Sequence, residues 1–132
     1  MAARPVIGIT ALRTLAVIRL ANGFLALFLP KVLVKRTSAD AEDTAPYYAF
    51  RMFGIRTLLL GADLLLLRGD ELTRARTQAV VIHSTDALSA VVGKRRGDLP
   101  PQAAQVAIAI SSVNAVLAIL ARCCRVPRST HG

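Results

Sequence analysis

The sequence predicts an all-α protein, an integral membrane bundle of four transmembrane helices. Apolar residues make up 54% of the 132-residue chain and fall into long blocks, which short charged or Pro- and Gly-containing stretches separate. The runs 58–60 and 64–67 consist entirely of leucine, so they would place apolar surface on every side of one helix. Most Lys and Arg residues flank the blocks, as cations do beside bilayer headgroups. A soluble helical bundle with a large core is the alternative.

Four segments are expected to cross the membrane, because a bilayer core takes about 20 helical residues. They cover approximately residues 6–29, 46–68, 71–92 and 100–121 of a single domain, which ends in a basic tail at 122–132. The third segment has the shortest apolar part, since Arg74 and Arg76 lie in its first turns. The polar stretch from Lys35 to Thr44 is the longest predicted loop.

Proline, glycine and aspartate mark the ends of these segments. Pro30 stops the first segment, and Pro46 suits the first turn of the second. Gly69 fits the left-handed position just past a helix. Asp70 is the predicted N-cap of the third segment. Pro100 and the proline after it open the fourth.

The third and fourth segments resemble copies of each other. A shift of 28 positions places Arg68-Gly69-Asp70 on Arg96-Gly97-Asp98, and it aligns most of the small residues that follow. The same shift places Ser84 on Ser112 and Asp86 on Asn114. Consecutive helices cross a membrane in opposite directions, so such copies would be related by inversion in the membrane plane.

The basic composition points to lipid rather than to nucleic acid. The chain carries 17 Lys and Arg against 8 Asp and Glu, but it has no Trp, and its cations flank apolar blocks instead of forming a basic face. We therefore expect membrane lipids as partners, a multi-pass location in the cell membrane and no nucleic acid. Cys123 and Cys124 are adjacent, which gives no metal-ligand spacing, so no metal site is expected.

Polar residues inside the apolar blocks are the candidate site, because a charge at bilayer depth costs on the order of 3 kcal/mol and turns toward the bundle interior. These residues are Arg19, Asn22, Arg56, Asp63, His83, Asp86 and Asn114. Arg19, Arg56 and His83 fall near the middle of their segments, and Asp86 lies one turn beyond His83. We expect an Arg56–Asp86 ion pair with His83 and Arg19 nearby.

Two interpretations of this cluster remain open. Buried polar pairs can serve only to fix helix register. Alternatively, the cluster lines a pocket for an anionic guest such as a lipid phosphate, a carboxylate or a quinone oxygen. An excess of cations favours the guest, because Arg19 and Arg56 lie at depth, Arg13 and Arg51 lie nearer the ends, and only Asp63 and Asp86 oppose them. Snorkelling of Arg13 and Arg51 toward the headgroups is the alternative explanation for part of this excess.

The segment Arg51-Met52-Phe53-Gly54-Ile55-Arg56, followed by Gly61, resembles small bacterial four-helix membrane proteins of the DoxX-like superfamily. The pair His83-x-x-Asp86 on the next segment fits that resemblance. The resemblance implies a four-helix bundle in a bacterial inner membrane. Some relatives are accessory subunits associated with quinone-linked redox enzymes, although the sequence itself identifies no cofactor.

The sequence contains no reaction signature, so the first functional expectation is a non-catalytic or accessory membrane protein that holds an anionic lipid or quinone-like molecule. The alternative is a small membrane enzyme or carrier for an amphipathic anion, with Arg19, Arg56, His83 and Asp86 lining the site. A membrane-complex partner or a homo-oligomer is also expected, because Gly54 and Gly61 face away from Arg56 and would leave a small-residue surface free.

Overall fold

The computed structural model describes residues 3–37 and 45–124 of the chain. Helices account for 93% of this described part, which contains no strand. The helices, in chain order, are α1 Ala3–Phe28, α2 Pro30–Thr37, α3 Ala45–Leu66, α4 Gly69–Arg96 and α5 Pro101–Cys123. The predicted all-α class is therefore confirmed.

The short helix α2 lies where the sequence predicts the start of a loop. Pro30 ends the first long helix as expected, but it also begins the next helix, because its fixed φ and missing N–H suit the first helical position. The backbone N–H of Val32 donates to the carbonyl of Leu29 at 3.0 Å, which ties the two helices together. Val34 of α2 is completely buried. The rest of the predicted loop, residues 38–44, lies outside the described part.

The turns before and after α4 depend on glycine. Gly69 has a φ of 57° and Gly97 a φ of 77°, and these are the positive φ values of the described residues. The predicted N-cap role of Asp70 is wrong: Arg68 is the N-cap residue and makes no side-chain capping bond, while Asp70 lies in the first turn. There its charge suits the positive end of the helix dipole. Helix α4 continues to Arg96, four residues beyond the predicted end.

The four long helices form a ring in the order α3, α1, α5, α4. Helix α1 packs extensively on α3, α4 packs extensively on α5, and the contact between α1 and α5 joins these two pairs. Leu15, Ala16, Ala79 and Ala118 belong to the buried core at this junction. Helices α3 and α4 make much sparser contact with each other, so the ring is least closed between them.

Glycine brings α1 and α3 into backbone contact. A Cβ on Gly54 would lie 2.5 Å from the backbone nitrogen of Leu27 and 2.8 Å from the carbonyl oxygen of Gly23. A Cβ on Gly61 would lie 3.1 Å from Cβ of Arg19. The prediction that Gly54 and Gly61 form a free surface for dimerisation is therefore wrong, because α1 covers both residues.

The packing of α4 and α5 follows the predicted repeat only in part, since Ala79 on α4 is buried whereas its counterpart Ala107 on α5 is half-buried. Buried positions on α4 recur on α5 after 28 residues: Ala75 corresponds to Ala103, Ala90 to Ala118, and Gly93 to Ala121. The two left-handed glycines, Gly69 and Gly97, are related by the same shift. The two helices thus present equivalent small-residue faces to the bundle, and small residues allow close helix approach.

Helices α1 and α5 are the two described helices that are long and apolar enough to cross a membrane, with mean hydropathies of 1.5 and 2.0 over their most apolar stretches. Only 22% of that stretch of α5 is buried inside the bundle. Helices α3 and α4 do not contain a stretch that meets the same test. Arg51, Arg56 and Asp63 interrupt α3, and charged residues occupy both ends of α4.

Candidate functional site

A cavity of about 160 Å³ lies at the centre of the ring, between α1, α3, α4 and α5. Six of the seven candidate residues line it: Arg19, Asn22, Arg56, His83, Asp86 and Asn114. Asp63 does not; it is half-buried on α3, about two turns beyond Arg56. The structure therefore brings together residues from four helices that are far apart in the sequence.

These side chains form one layer at the middle of the bundle. Arg19, Arg56, His83 and Asn114 each lie close to the midpoint of their helix. Because consecutive long helices in such a ring run in alternating directions, residues near the midpoints meet at the same level. The layer therefore lies about as far as this fold allows from either end of the bundle.

Arg19 is the best-fixed member of the layer. Its side chain is only 2% exposed, and its Nε donates a hydrogen bond of 2.8 Å to Nε2 of His83. Its Nη1 also approaches the carbonyl oxygen of Leu60 on α3 at 3.5 Å. Arg19 thus joins α1 to both α3 and α4, the two neighbouring long helices with the sparsest mutual contact.

The bond from Arg19 determines the protonation of His83. A guanidinium can only donate, so Nε2 of His83 must be the acceptor, and the neutral ring then carries its proton on Nδ1. That Nδ1 faces Oδ2 of Asp86 at 3.8 Å, an ion-pair distance that exceeds a direct hydrogen bond. Asp86, His83 and Arg19 therefore form a row in which a carboxylate, an imidazole and a guanidinium follow one another.

The predicted Arg56–Asp86 ion pair is wrong, since within the described ranges Asp86 pairs with His83 instead. Asp86 still interacts electrostatically with the charges of both Arg19 and Arg56. Arg56 is exposed on the outer side of the cavity, whereas Arg19 occupies the interior position beside His83. The aligned midpoints of the helices correctly predict that both arginines lie at the level of His83, but they do not predict which arginine points inward.

Asn114 is the unsatisfied member of the layer. It is 5% exposed, and its Oδ1 is buried without a hydrogen-bond partner among the described residues. A buried polar atom without a partner costs about 1–3 kcal/mol. Rotation of the side-chain amide can present either its carbonyl oxygen or its NH₂ group to the cavity. Asn114 therefore offers the cavity an unused polar contact.

The cavity wall carries more positive than negative charge. Two guanidiniums, those of Arg19 and Arg56, face one carboxylate, that of Asp86, while His83 is neutral as the acceptor from Arg19. In a water-poor interior such charges interact more strongly than in bulk water. The wall is therefore suited to one additional anionic group.

Sequence reasoning missed the uncharged part of the lining. It consists of Phe53, Thr57 and Leu60 on α3, Ile82 on α4, and Ile110 and Ser111 on α5. The repeat contained a signal for one of them, because Ser111 corresponds to His83 just as Asn114 corresponds to Asp86. Both residues of each pair face the same cavity. No group of three His, Cys, Asp or Glu side chains within residues 3–37 and 45–124 could hold a metal ion.

Comparisons with protein-family models, with curated proteins and with solved structures find no match to this chain. The resemblance to the DoxX-like superfamily stays a prediction. The arguments about function below consequently rest on the fold and on the cavity itself.

Proposed function

We propose that this chain is a four-helix integral membrane protein whose central cavity binds the anionic headgroup of an amphipathic small molecule. The headgroup would be a phosphate, a carboxylate or a quinone-like oxygen. In this proposal the protein is a binding or accessory subunit, as the DoxX-like resemblance also implies, and membrane lipids surround it.

The apolar outer surface supports the membrane location. Large apolar side chains are exposed along all four long helices, including Phe24 on α1, Leu59 on α3, Leu88 on α4 and Val116 on α5, each more than half exposed. A soluble monomer rarely exposes contiguous apolar patches of more than a few hundred Å². Helix α5, the most apolar, is also mostly unburied, which is typical of a lipid-facing helix and not of a soluble core.

The lengths and charges of α3 and α4 fit the same proposal. They contain 22 and 28 residues, and about 20 helical residues suffice to cross a bilayer core. Their mid-helix charged groups, Arg56 and Asp86, line the cavity. Polar groups inside a membrane normally face a bundle interior or a water-filled cavity. The charges that α3 and α4 carry near their midpoints are therefore compatible with a membrane span for these two helices.

The observation that carries the binding proposal is the unsatisfied Asn114 beside two guanidiniums. A site that served only to fix helix register would pair its buried polar groups with one another. Here Asn114 Oδ1 has no described partner, and the excess positive charge is oriented toward a cavity of about 160 Å³. An anionic headgroup only accepts hydrogen bonds, so Asn114 would bind it with its amide rotated to turn the NH₂ group toward the cavity. The single negative charge would then offset the excess positive charge of the wall.

Binding of labelled hexadecanoate and hexadecyl phosphate tests the proposal. The protein is placed in phosphatidylcholine nanodiscs, and binding to empty nanodiscs is subtracted. The variant Arg56→Gln should weaken binding of at least one ligand about tenfold, because a hydrogen bond to a charged group contributes about 1.5–3 kcal/mol. The control is Arg51→Gln, which removes the same charge from an exposed position of α3 outside the cavity; it should leave binding nearly unchanged.

Two results would contradict the proposal. One is a wild-type protein that binds neither ligand more than empty nanodiscs do. The other is equal weakening by Arg56→Gln and Arg51→Gln, which would mean that general positive charge, and not the cavity, attracts the ligand. A difference between hexadecanoate and hexadecyl phosphate would identify the preferred headgroup.

A second candidate function is catalysis or transport with proton transfer, which the row Asp86–His83–Arg19 favours. His83 has its Nδ1 toward a carboxylate and its Nε2 occupied by Arg19, an orientation in which a protonation change would break the bond to Arg19. Nitrogen NMR of the His131→Gln variant isolates His83. A proton on Nδ1 that moves when ligand is added supports this function, and a ring that never changes its protonation argues against it.

A further inference from the structure

A groove of about 320 Å³ lies on the outer face between α3 and α4, beside the central cavity. Its lining consists of Arg56, Leu60, Thr77, Gln78, Val81 and Ile82. Three of these residues, Arg56, Leu60 and Ile82, also line the cavity. The groove and the cavity therefore adjoin, and these three side chains form the wall between them.

The groove lies at the weakest contact of the ring. Helices α3 and α4 follow each other through the short link at Leu67 and Arg68, yet they contact each other sparsely along their length. By contrast, glycine holds α1 against α3, and small residues hold α4 against α5. If any side of the bundle opens to the surrounding lipid, this one requires the least loss of packing.

Polar groups lead from the groove into the cavity, and apolar side chains lie beside this polar path, which is an arrangement that suits an amphiphile. Gln78 is an exposed amide at the outer side, Arg56 lies at the shared wall, and Arg19 and Asn114 lie inside the cavity. Leu60, Val81 and Ile82 supply an apolar surface beside this polar path. A charged headgroup could thus pass from one polar group to the next while its tail stays in contact with apolar side chains.

We propose that the ligand enters sideways from the bilayer through the α3–α4 groove, with its headgroup in the cavity and its acyl-type tail along Leu60, Val81 and Ile82. This inference rests on the proposed binding function and assigns the ligand class: a carboxylate or phosphate amphiphile with a long apolar chain. Ligand pockets usually measure about 300–1,000 Å³. The cavity alone is too small for a whole amphiphile, whereas the cavity and groove together provide enough space.

The test compares a long ligand with a short ligand of the same headgroup. The variant Val81→Trp fills the groove from a position that does not itself line the cavity, since Val81 lines only the groove. Its matched control is Val106→Trp on α5, an exposed valine outside both spaces. Binding of hexadecanoate and of octanoate is measured for both variants, for wild type and for Arg56→Gln, in the same nanodiscs.

Val81→Trp should weaken hexadecanoate binding about tenfold, the amount expected when roughly two methylene groups lose their apolar contact. It should change octanoate binding less than about twofold, and Val106→Trp should change neither. The groove proposal is overturned if Val81→Trp leaves hexadecanoate binding unchanged. It is also overturned if Val81→Trp weakens the binding of both ligands equally. If Arg56→Gln still weakens binding in that case, the cavity proposal survives alone. If wild type binds neither ligand, both proposals fail.

Discussion

At the scale of single residues, the hydrogen bond from Arg19 to His83 is the central feature of the bundle. Both side chains are almost fully buried, and the bond joins α1 to α4 across the cavity. A buried guanidinium is tolerated only when its N–H groups have acceptors. His83 supplies the acceptor for Nε, so we infer that it holds Arg19 in the orientation that faces the cavity.

Substitution of His83 tests this role. His83→Ala should lower the free energy of unfolding by about 2 kcal/mol, because it leaves a buried Arg19 donor without an acceptor. His83→Gln should lower it by less than half as much, since a glutamine carbonyl oxygen can accept the same bond. Unfolding by SDS titration in mixed micelles measures both. Equal losses in the two variants would show that ring packing, and not the acceptor, matters.

The sequence predicts the members of this layer well but not their pairing. The rule that a strongly hydrated group within an apolar block turns inward selects six of the cavity residues, including Asn22 and Asn114. It is wrong in detail for Arg56 and Asp86, which line the cavity but are exposed. It also selects Asp63, which is half-buried outside the cavity. Whether Arg19 or Arg56 lies beside His83 depends on the rotation of α1 and α3 about their axes, which the glycine contact between them sets.

At the scale of helices, the contact of Gly23 with Gly54 sets the distance between α1 and α3. The backbones touch there because neither residue has a side chain. Gly23 is adjacent to Asn22 and Gly54 lies two residues before Arg56, so a change in helix spacing at Gly54 would be transmitted directly to the cavity wall. The α1–α3 interface is thus part of the support for the site.

Alanine substitutions at the two α3 glycines should therefore differ. Gly54→Ala should destabilise the protein by about 1–3 kcal/mol, because its Cβ would overlap backbone atoms that cannot move separately from α1. Gly61→Ala should cost less, since its Cβ would meet mainly the side chains of Arg19 and Leu20 at 3.1 Å and 3.2 Å. SDS unfolding ranks the two. A larger effect at Gly61 would contradict the described interface.

Helix boundaries depend on turn chemistry that the sequence predicts only in part. Gly69 and Gly97 act as expected, since both take a left-handed φ. Pro30 is ambiguous, because the same ring that ends α1 suits the first position of α2. Asp70 looks like an N-cap, but Arg68 is the N-cap residue and the helix begins at Gly69, two residues earlier than the cap prediction requires.

At the scale of the whole molecule, the exposed apolar surface and the interior polar layer require opposite surroundings. Lipid satisfies the first, and a cavity satisfies the second. By length and apolarity, α1 and α5 are the candidate membrane spans among the described helices. In the four-crossing proposal, α3 and α4 fall short of that test partly because two of their charged residues, Arg56 and Asp86, line the cavity.

Labelling with a membrane-impermeant maleimide tests whether α4 crosses the membrane, as the four-crossing proposal requires. With Cys123 and Cys124 first changed to Ser, single cysteines are introduced as Glu71→Cys before the apolar part of α4 and as Asp98→Cys after it. Four crossings predict that the two positions react from opposite sides in right-side-out and inverted vesicles. Both positions are exposed in the fold, so reaction of both from the same side would mean that α4 does not cross.

Native mass spectrometry of the protein extracted in its own lipid is the most direct test of the central claim that the mid-bundle cavity holds an anionic amphiphile. The account predicts that wild type retains one such molecule, that Arg51→Gln retains it as well, and that Arg56→Gln loses it. A wild-type protein released without any bound anion, or an Arg56→Gln variant that keeps the same molecule, would contradict the account.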